Sequence, residues 1–208
     1  EAIGQIEFVL YSKKHPILDI LSKKKIPCTP INAKEFSSIS QVEAPQGIIA
    51  VVREKKFELD EIINKPDQLI VFCMEIQDPG NLGTIIRSAD AAGASGVILS
   101  KGTVDLYNQK VIRSSMGSIF HLPIVQADNS EETIGKLKEK GVKIIAADAA
   151  GKNDYFNTDL SVPVAVLIGN EGKGIDPKIL SLADESVSIP MPGKAESLNA
   201  GVSAAIIL

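Results

Sequence analysis

The sequence predicts an α/β fold, a mainly parallel sheet preceded by a small α/β domain. Three observations carry this. Strand-like and helix-like segments alternate almost from end to end, the pattern of linked strand–helix–strand units. The strand-like runs are rich in Val and Ile and nearly continuous, as suits strands covered on both faces. The 208 residues, 44% of them hydrophobic, suffice for one large core and a smaller one, which argues against disorder.

In chain order, IEFVLY and GIIAVV read as strands of the first domain, residues 1–58, with HPILDILSKKK a short helix between them. REKKFELDEIINKPDQ, residues 53–68, is highly charged, carries Pro66 near its end and reads as a linker. The second domain, 66–208, then supplies strands at 69–75, 96–100, 122–126, 142–148, 163–169 and 186–190. NLGTIIRSADAAG reads as a helix stopped at Gly93. SEETIGKLKEKG reads as one capped by Ser130, with acids in its first turn, lysines later and Gly141 as the stop. The closing AGVSAAIIL reads as a buried helix.

No run of eighteen apolar residues is present, so no membrane helix is expected, and EAIGQIEF has no leader pattern. Cys28 and Cys73 form no close pair, consistent with reduced thiols in a cytoplasmic protein. The chain starts without Met and stops inside an apolar helix. We therefore expect the first domain to be incomplete at its N-terminus and the second to be truncated at its C-terminus. Net charge is −4, against non-specific coating of nucleic acid. Residues 1–58 nevertheless carry +2 and the remainder −6. Lys13, Lys14, Lys23, Lys24 and Lys25 flank the first helix, either as a solvated face or as an RNA-facing patch.

Ligands collect at the carboxyl ends of strands in an open parallel sheet. Three such ends carry unusual polar residues. After the 69–75 strand, Asp78-Pro79-Gly80 makes a turn, Asn81 stands where a helix cap is expected, and Arg87 follows six residues on. LIGNEGKGIDP places three glycines round Glu171, so the backbone can approach a ligand closely. Its spacing fits neither a phosphate-binding P-loop nor a dinucleotide fingerprint. IPMPGKAESLNAGVSAA puts a Pro/Gly bend and a polar run between a strand and a helix. Neither histidine, His15 or His121, has a metal-ligand spacing, so no metal is expected.

With these residues quoted, a resemblance emerges. N-x-G-x-x-x-R at 81–87, IGNEGKGI at 168–175 and IPMPGKAESLNAGVSAA at 189–205 look like the three motifs of the SpoU (TrmH-like) RNA 2′-O-ribose methyltransferases of the SPOUT superfamily. KVIRSSMGSIFHLPI at 110–124 resembles the segment between the first and second motifs. The likeness covers about 66–208, and the first domain is similar to the small RNA-binding domain that often precedes it.

The resemblance implies a C-terminal trefoil knot, which periodicity does not show and chain-topology rules would vote against. It implies S-adenosyl-L-methionine as cofactor, a homodimer with the site near the subunit interface, and RNA as substrate: ribosomal RNA, favoured by the N-terminal domain, with transfer RNA as the alternative. Leu167, Gly169, Ile189, Met191 and Leu198 would contact the cofactor. Ser197 and Asn199 would lie beside it and the substrate ribose, and Asn81, Arg87 and Glu171 would complete the site. The family proposal makes the motif-one Arg a general base. A guanidinium normally keeps its proton, so a phosphate clamp that also stabilises a developing alkoxide stays open as a second role. The competing readings are a nucleotide-binding domain that uses its glycines for packing, and an RNA-binding module without catalysis.

Overall fold

A computed structural model describes residues 5–40, 42, 44–65, 68–161 and 163–208. The chain forms two compact units, 1–55 and 56–208.

The first unit contains β1 (Ile6–Tyr11), α1 (Ile17–Lys23), β2 (Cys28–Pro30), α2 (Ala33–Ile39) and β3 (Ile48–Val52). Its sheet runs β2-β1-β3, with β1 parallel to β2 and antiparallel to β3. Val9, Leu21 and Phe36 form its buried centre. β2 and α2 were not expected. α2 is specified by a capping box: the Asn32 side chain accepts from the Glu35 N–H at 2.9 Å, and the Glu35 carboxylate accepts from the Asn32 N–H at 3.0 Å. All five lysines round α1 are exposed, and none pairs with another described residue.

The second unit contains α3 (Asp60–Ile63), β4 (Leu69–Cys73), α4 (Pro79–Ala91), β5 (Gly96–Ser100), α5 (Gln109–Ser114), β6 (Ile124–Ala127) and α6 (Ser130–Glu139). It continues with β7 (Lys143–Ala147), β8 (Asn153–Asp154), β9 (Val164–Ile168), α7 (Pro177–Leu180), β10 (Glu185–Ser188) and α8 (Ala200–Ile207). The expected linker is thus partly core, because α3 buries Ile62 and Ile63. Pro66 lies outside the described residues. α6 is capped by Asn129 rather than by Ser130, through its side chain to the N–H groups of Glu131 and Glu132.

The sheet order is β6-β5-β4-β9-β7-β10-β8, and every pairing is parallel. Side chains alternate between its faces. On β4, Ile70 and Phe72 enter a core with α3 and α6, while Val71 and Cys73 enter one with α4 and α8. From β4 the chain builds outward through β5 to β6, then returns to add β7, β9 and β10 on the other side of β4. The order therefore reverses between β4 and β9, the place where open α/β sheets hold ligands.

Helices α5, α4 and α8 pack closely on one face. A Cβ on Gly83 would lie 1.9 Å from Ser114 Oγ, and one on Gly201 would lie 3.0 Å from the Thr84 side chain. The Ala/Gly composition of α8 is what admits this approach. Cys28 and Cys73 are free thiols. No helix among the described residues is long and apolar enough to cross a membrane.

Candidate active site

The carboxyl ends of β4, β9, β7 and β10, with the N-terminus of α8, surround a cavity of about 600 Å³. That is within the range of small-molecule sites. Each wall has a local cause.

The first wall is the start of α4. Its cap is Asp78, whose side chain accepts from the Asn81 N–H at 2.9 Å, with Pro79 at the first turn. The expectation that Asn81 caps this helix is therefore corrected. Asn81 sits one turn in and is buried, so its side chain is available for other bonds.

Those bonds join three loops. Asn199 caps α8, its Oδ1 accepting from Gly201 N–H at 3.0 Å and Val202 N–H at 3.2 Å. Its Nδ2 donates to Asn81 Oδ1 at 2.7 Å, and Asn81 Nδ2 donates to Glu171 Oε1 at 2.9 Å. The Glu171 carboxylate also accepts from the N–H groups of Gln77 and Asp78, both at 3.1 Å. The amide orientations follow from this chain: the α8 N–H groups require an oxygen of Asn199, and the Glu171 carboxylate requires a nitrogen of Asn81. Burial pushes the Glu171 carboxyl upward. The Asn81 amide and the backbone N–H groups outweigh this and hold it below the usual carboxylate range.

The second wall is the glycine loop after β9. Asn170 Oδ1 accepts from the N–H groups of Gly172 and Lys173, at 2.9 and 3.0 Å, and its Nδ2 donates to Glu75 O at 2.7 Å. Backbone bonds in both directions tie Asn170 to Gly174. Glu75 has a left-handed backbone, φ 52°, held by its N–H donating to Ser100 Oγ at 2.8 Å and its carbonyl accepting from Asn170. A Cβ on Gly169 would meet Gly174 C at 2.6 Å and Ile175 at 2.8 Å. The open α-carbon of Gly169 thus lets the loop fold on itself. Gly169 also lines the cavity, so its backbone is open on that side.

The third wall is the bend. β10 ends at Ser188, short of the expected 190, so Ile189 as well as Met191 lies beyond the strand, in a segment without regular structure that runs to Asn199. Ile189, Met191, Ser197 and Leu198 line the cavity with Ile168, Gly169 and Val187. Beneath it, Cys73 is fully buried, and burial, then the charge of Glu171, pushes its thiol up to about 12. That thiol is inert packing.

Eight of the ten predicted residues thus converge: Asn81, Gly169, Glu171, Ile189, Met191, Ser197, Leu198 and Asn199. Two do not. Leu167 is fully buried in the core on the opposite face, because its neighbour Ile168 points to the cavity face. Arg87 is six residues beyond Asn81 on α4, about 120° round the helix. It is exposed, outside the lining, and unpaired with any described residue. Sequence reasoning assigned no role to Asn170 and missed the loop after β7. The Asn-x-Gly spacing of 170–172 was the available signal for the former. Among the described residues no group of three His, Cys, Asp or Glu side chains is placed to hold a metal ion.

The cavity fits S-adenosyl-L-methionine. Apolar walls at Ile168, Val187, Ile189, Met191 and Leu198 suit a base, and open backbone edges and carboxylates suit the polar and cationic parts.

Residues 68–208 match the SpoU rRNA Methylase family. The chain is 38% identical over 183 residues to the 23S rRNA (guanosine(2553)-2′-O)-methyltransferase RlmP of Bacillus subtilis (strain 168), covering 88% of this chain and 71% of that protein. It is 40% identical over 171 residues to a 23S rRNA (uridine(2479)-2′-O)-methyltransferase of Streptomyces viridochromogenes, covering 80% of this chain and 60% of the relative. Its fold superimposes on the crystal structure of the SpoU methyltransferase AviRb from Streptomyces viridochromogenes in complex with AdoMet. The TM-score is 0.88 at 32% identity, over 99% of this chain and 81% of the other. By its motifs, its fold and these relatives, the chain belongs to the SpoU rRNA methylase family.

Proposed function

We propose that this protein transfers a methyl group from S-adenosyl-L-methionine to a ribose 2′-hydroxyl of ribosomal RNA. The observation that carries this reading is the hydrogen-bonded chain Asn199–Asn81–Glu171 at the mouth of an apolar-walled cavity. The favoured substrate is ribosomal rather than transfer RNA, on the strength of the 23S rRNA methyltransferases among its relatives.

When bound, S-adenosyl-L-methionine supplies an electrophilic methyl on a positively charged sulfur. The side chains have three tasks. Ile168, Ile189, Met191 and Leu198 exclude water from the nucleoside. Asn81 fixes Asn199 and Glu171 to each other, so the bend and the glycine loop present one surface; Ser197 and Asn199 face the substrate ribose there. Arg87 makes no ion pair with another described residue, so its charge is available to a neighbouring phosphate and to the alkoxide that develops as the 2′-proton passes to solvent water. The clamp role requires no deprotonated guanidinium, and we favour it over general base.

Because Arg87 stands outside the cavity of a single chain, the complete site is one shared by two copies. The exposed apolar residues Val202 and Ile206 on α8 suit such an interface. The homodimer and a trefoil knot formed by the C-terminal segments complete the reading. The unpaired lysines round α1 supply the RNA grip that a net charge of −4 does not.

The test is methylation of total RNA with labelled cofactor and mapping of the labelled nucleotide. Label in a 2′-O-methylated ribosomal nucleotide is the expected result, and label on a base or no label refutes the reading. Arg87→Ala should lower the rate roughly a hundred- to thousandfold, the size typical of one lost oxyanion partner, with cofactor affinity unchanged. Arg87→Lys should retain part of the activity.

A further inference from the structure

The cavity has a fourth wall, the loop that follows β7, and no role has been assigned to it. Ala147, Asp148 and Ala149 line it. We propose that Asp148 is the residue that recognises the ribose diol of the cofactor nucleoside. This deepens the function proposed above and rests on it.

Position comes first. In the sheet order β4-β9-β7, Asn81 follows β4 and the Asp148 loop follows β7, two strands away. At about 4.8 Å per strand, the ends of β4 and β7 stand roughly 10 Å apart. The hydrogen-bonded chain of Asn81, Asn199 and Glu171 marks the reacting end. Asp148 lies in the wall on the β7 side, and Ala149, Val187 and Ile189 belong to the same apolar lining that suits a flat base. The group attached to such a base is a ribose.

Free bonding capacity comes second. Glu171 spends both carboxylate oxygens on three donors of the protein. Asp148 Oδ1 accepts one bond, from the Ala150 N–H at 3.1 Å, and its Oδ2 has no partner among the described residues. An ionised carboxylate accepts only, and adjacent hydroxyls are donors matched to it. Acidic side chains at strand ends hold ribose hydroxyls in other α/β sheets for the same reason.

Rigidity comes third. The Asp148 N–H donates to Val187 O, and its carbonyl accepts from the Gly151 N–H, both at 2.9 Å. Gly151 lies so close to β10 that a Cβ there would come within 2.4 Å of Val187 C. The loop is pinned to the strand, and the carboxylate is presented before any ligand arrives.

The experiment is calorimetry of three probes with parent, Asp148→Ala and Asp148→Asn. The probes are S-adenosyl-L-methionine, its 2′-deoxy analogue, and 5′-methylthioadenosine, which lacks the amino-acid part. The parent should prefer the ribose compound by about ten- to a hundredfold, the value of a hydrogen bond to a charged group. In Asp148→Ala that preference should fall to within about threefold, and 5′-methylthioadenosine should weaken by the same factor as the full cofactor. Asp148→Asn keeps the acceptor for the Ala150 N–H, so it carries the test if the alanine variant does not fold. An unchanged ribose preference in the variants overturns the assignment. So does a loss of affinity confined to the full cofactor, which would put Asp148 on its ammonium group. A parent that binds none of the three overturns the proposed function itself.

Discussion

Two loops frame the cavity and are built in opposite ways. The glycine loop, 169–174, is tied inwardly by Asn170, across to Glu75, and through Glu171 to the start of α4. The bend is tied only where it ends. From Pro190 to Leu198 no residue bonds to another described residue, and then the Asn199 side chain makes three hydrogen bonds at once. Polar residues mean different things in the two places. In the first they are the framework that holds the loop. In the second, Ser197 and its neighbours keep their hydrogen-bonding capacity for whatever enters the cavity. Asn81 is the joint between the two.

Removing that joint has the largest expected effect. Asn81→Ala should leave the Glu171 carboxylate and the Asn199 amide each short of a partner and uncouple the loops. We expect methyl transfer to fall about a hundredfold or more, comparable with loss of a preorganised site donor, as measured with labelled cofactor on ribosomal RNA. If the two loops were independent, the variant would keep near-parental activity.

Gly169→Val tests the inward-tied loop. The new side chain collides with Gly174 and Ile175, so the loop must open or shift. Overpacking of this kind costs about 1–3 kcal/mol, and thermal unfolding should show a matching loss of stability. The same substitution at Gly193, where a Cβ meets nothing within 4 Å, should leave stability close to that of the parent.

A subtler test uses pH. The Glu171 carboxyl is held below its ordinary value of 4.5, so the folded state favours its charged form. The stabilisation is fully present above about pH 5 and is lost as pH falls through the lowered pKa. Glu171→Gln should therefore be less stable than the parent at neutral pH, with the gap closing below pH 4.5. A gap independent of pH would show that the charge of Glu171 does not hold the loops.

Much of this architecture was legible beforehand. The parallel sheet followed from runs such as LIVFC and VAVLI, whose apolar residues leave no face for solvent. The convergence of the three motif loops followed from their shared place at strand ends. What escaped has physical reasons. Asn81 stands at a helix start like a cap, but Asp78 three residues earlier takes that bond, and Pro79 directly after Asp78 was the local signal for it. Residues 53–68 look solvated because charges outnumber the two isoleucines that anchor them. Leu167 was open to correction from pattern alone: with Ile168 next to it on one strand, only one of the two side chains can face the site. The loop after β7 was missed because Asp148-Ala149-Ala150-Gly151 carries no signature. Its importance comes from lying beside β9 and β10, strands that follow it in the chain.

Helix α4 has one further consequence. It is an unbroken rod of 13 residues, wedged between α5 and α8 by glycines that leave no slack. Asn81 near its start and Arg87 about 9 Å along its axis are therefore two marks on one ruler. Neither can be displaced along the axis without carrying the other. Whatever settles against the exposed guanidinium fixes, through that rod, the height at which the amide meets the two loops.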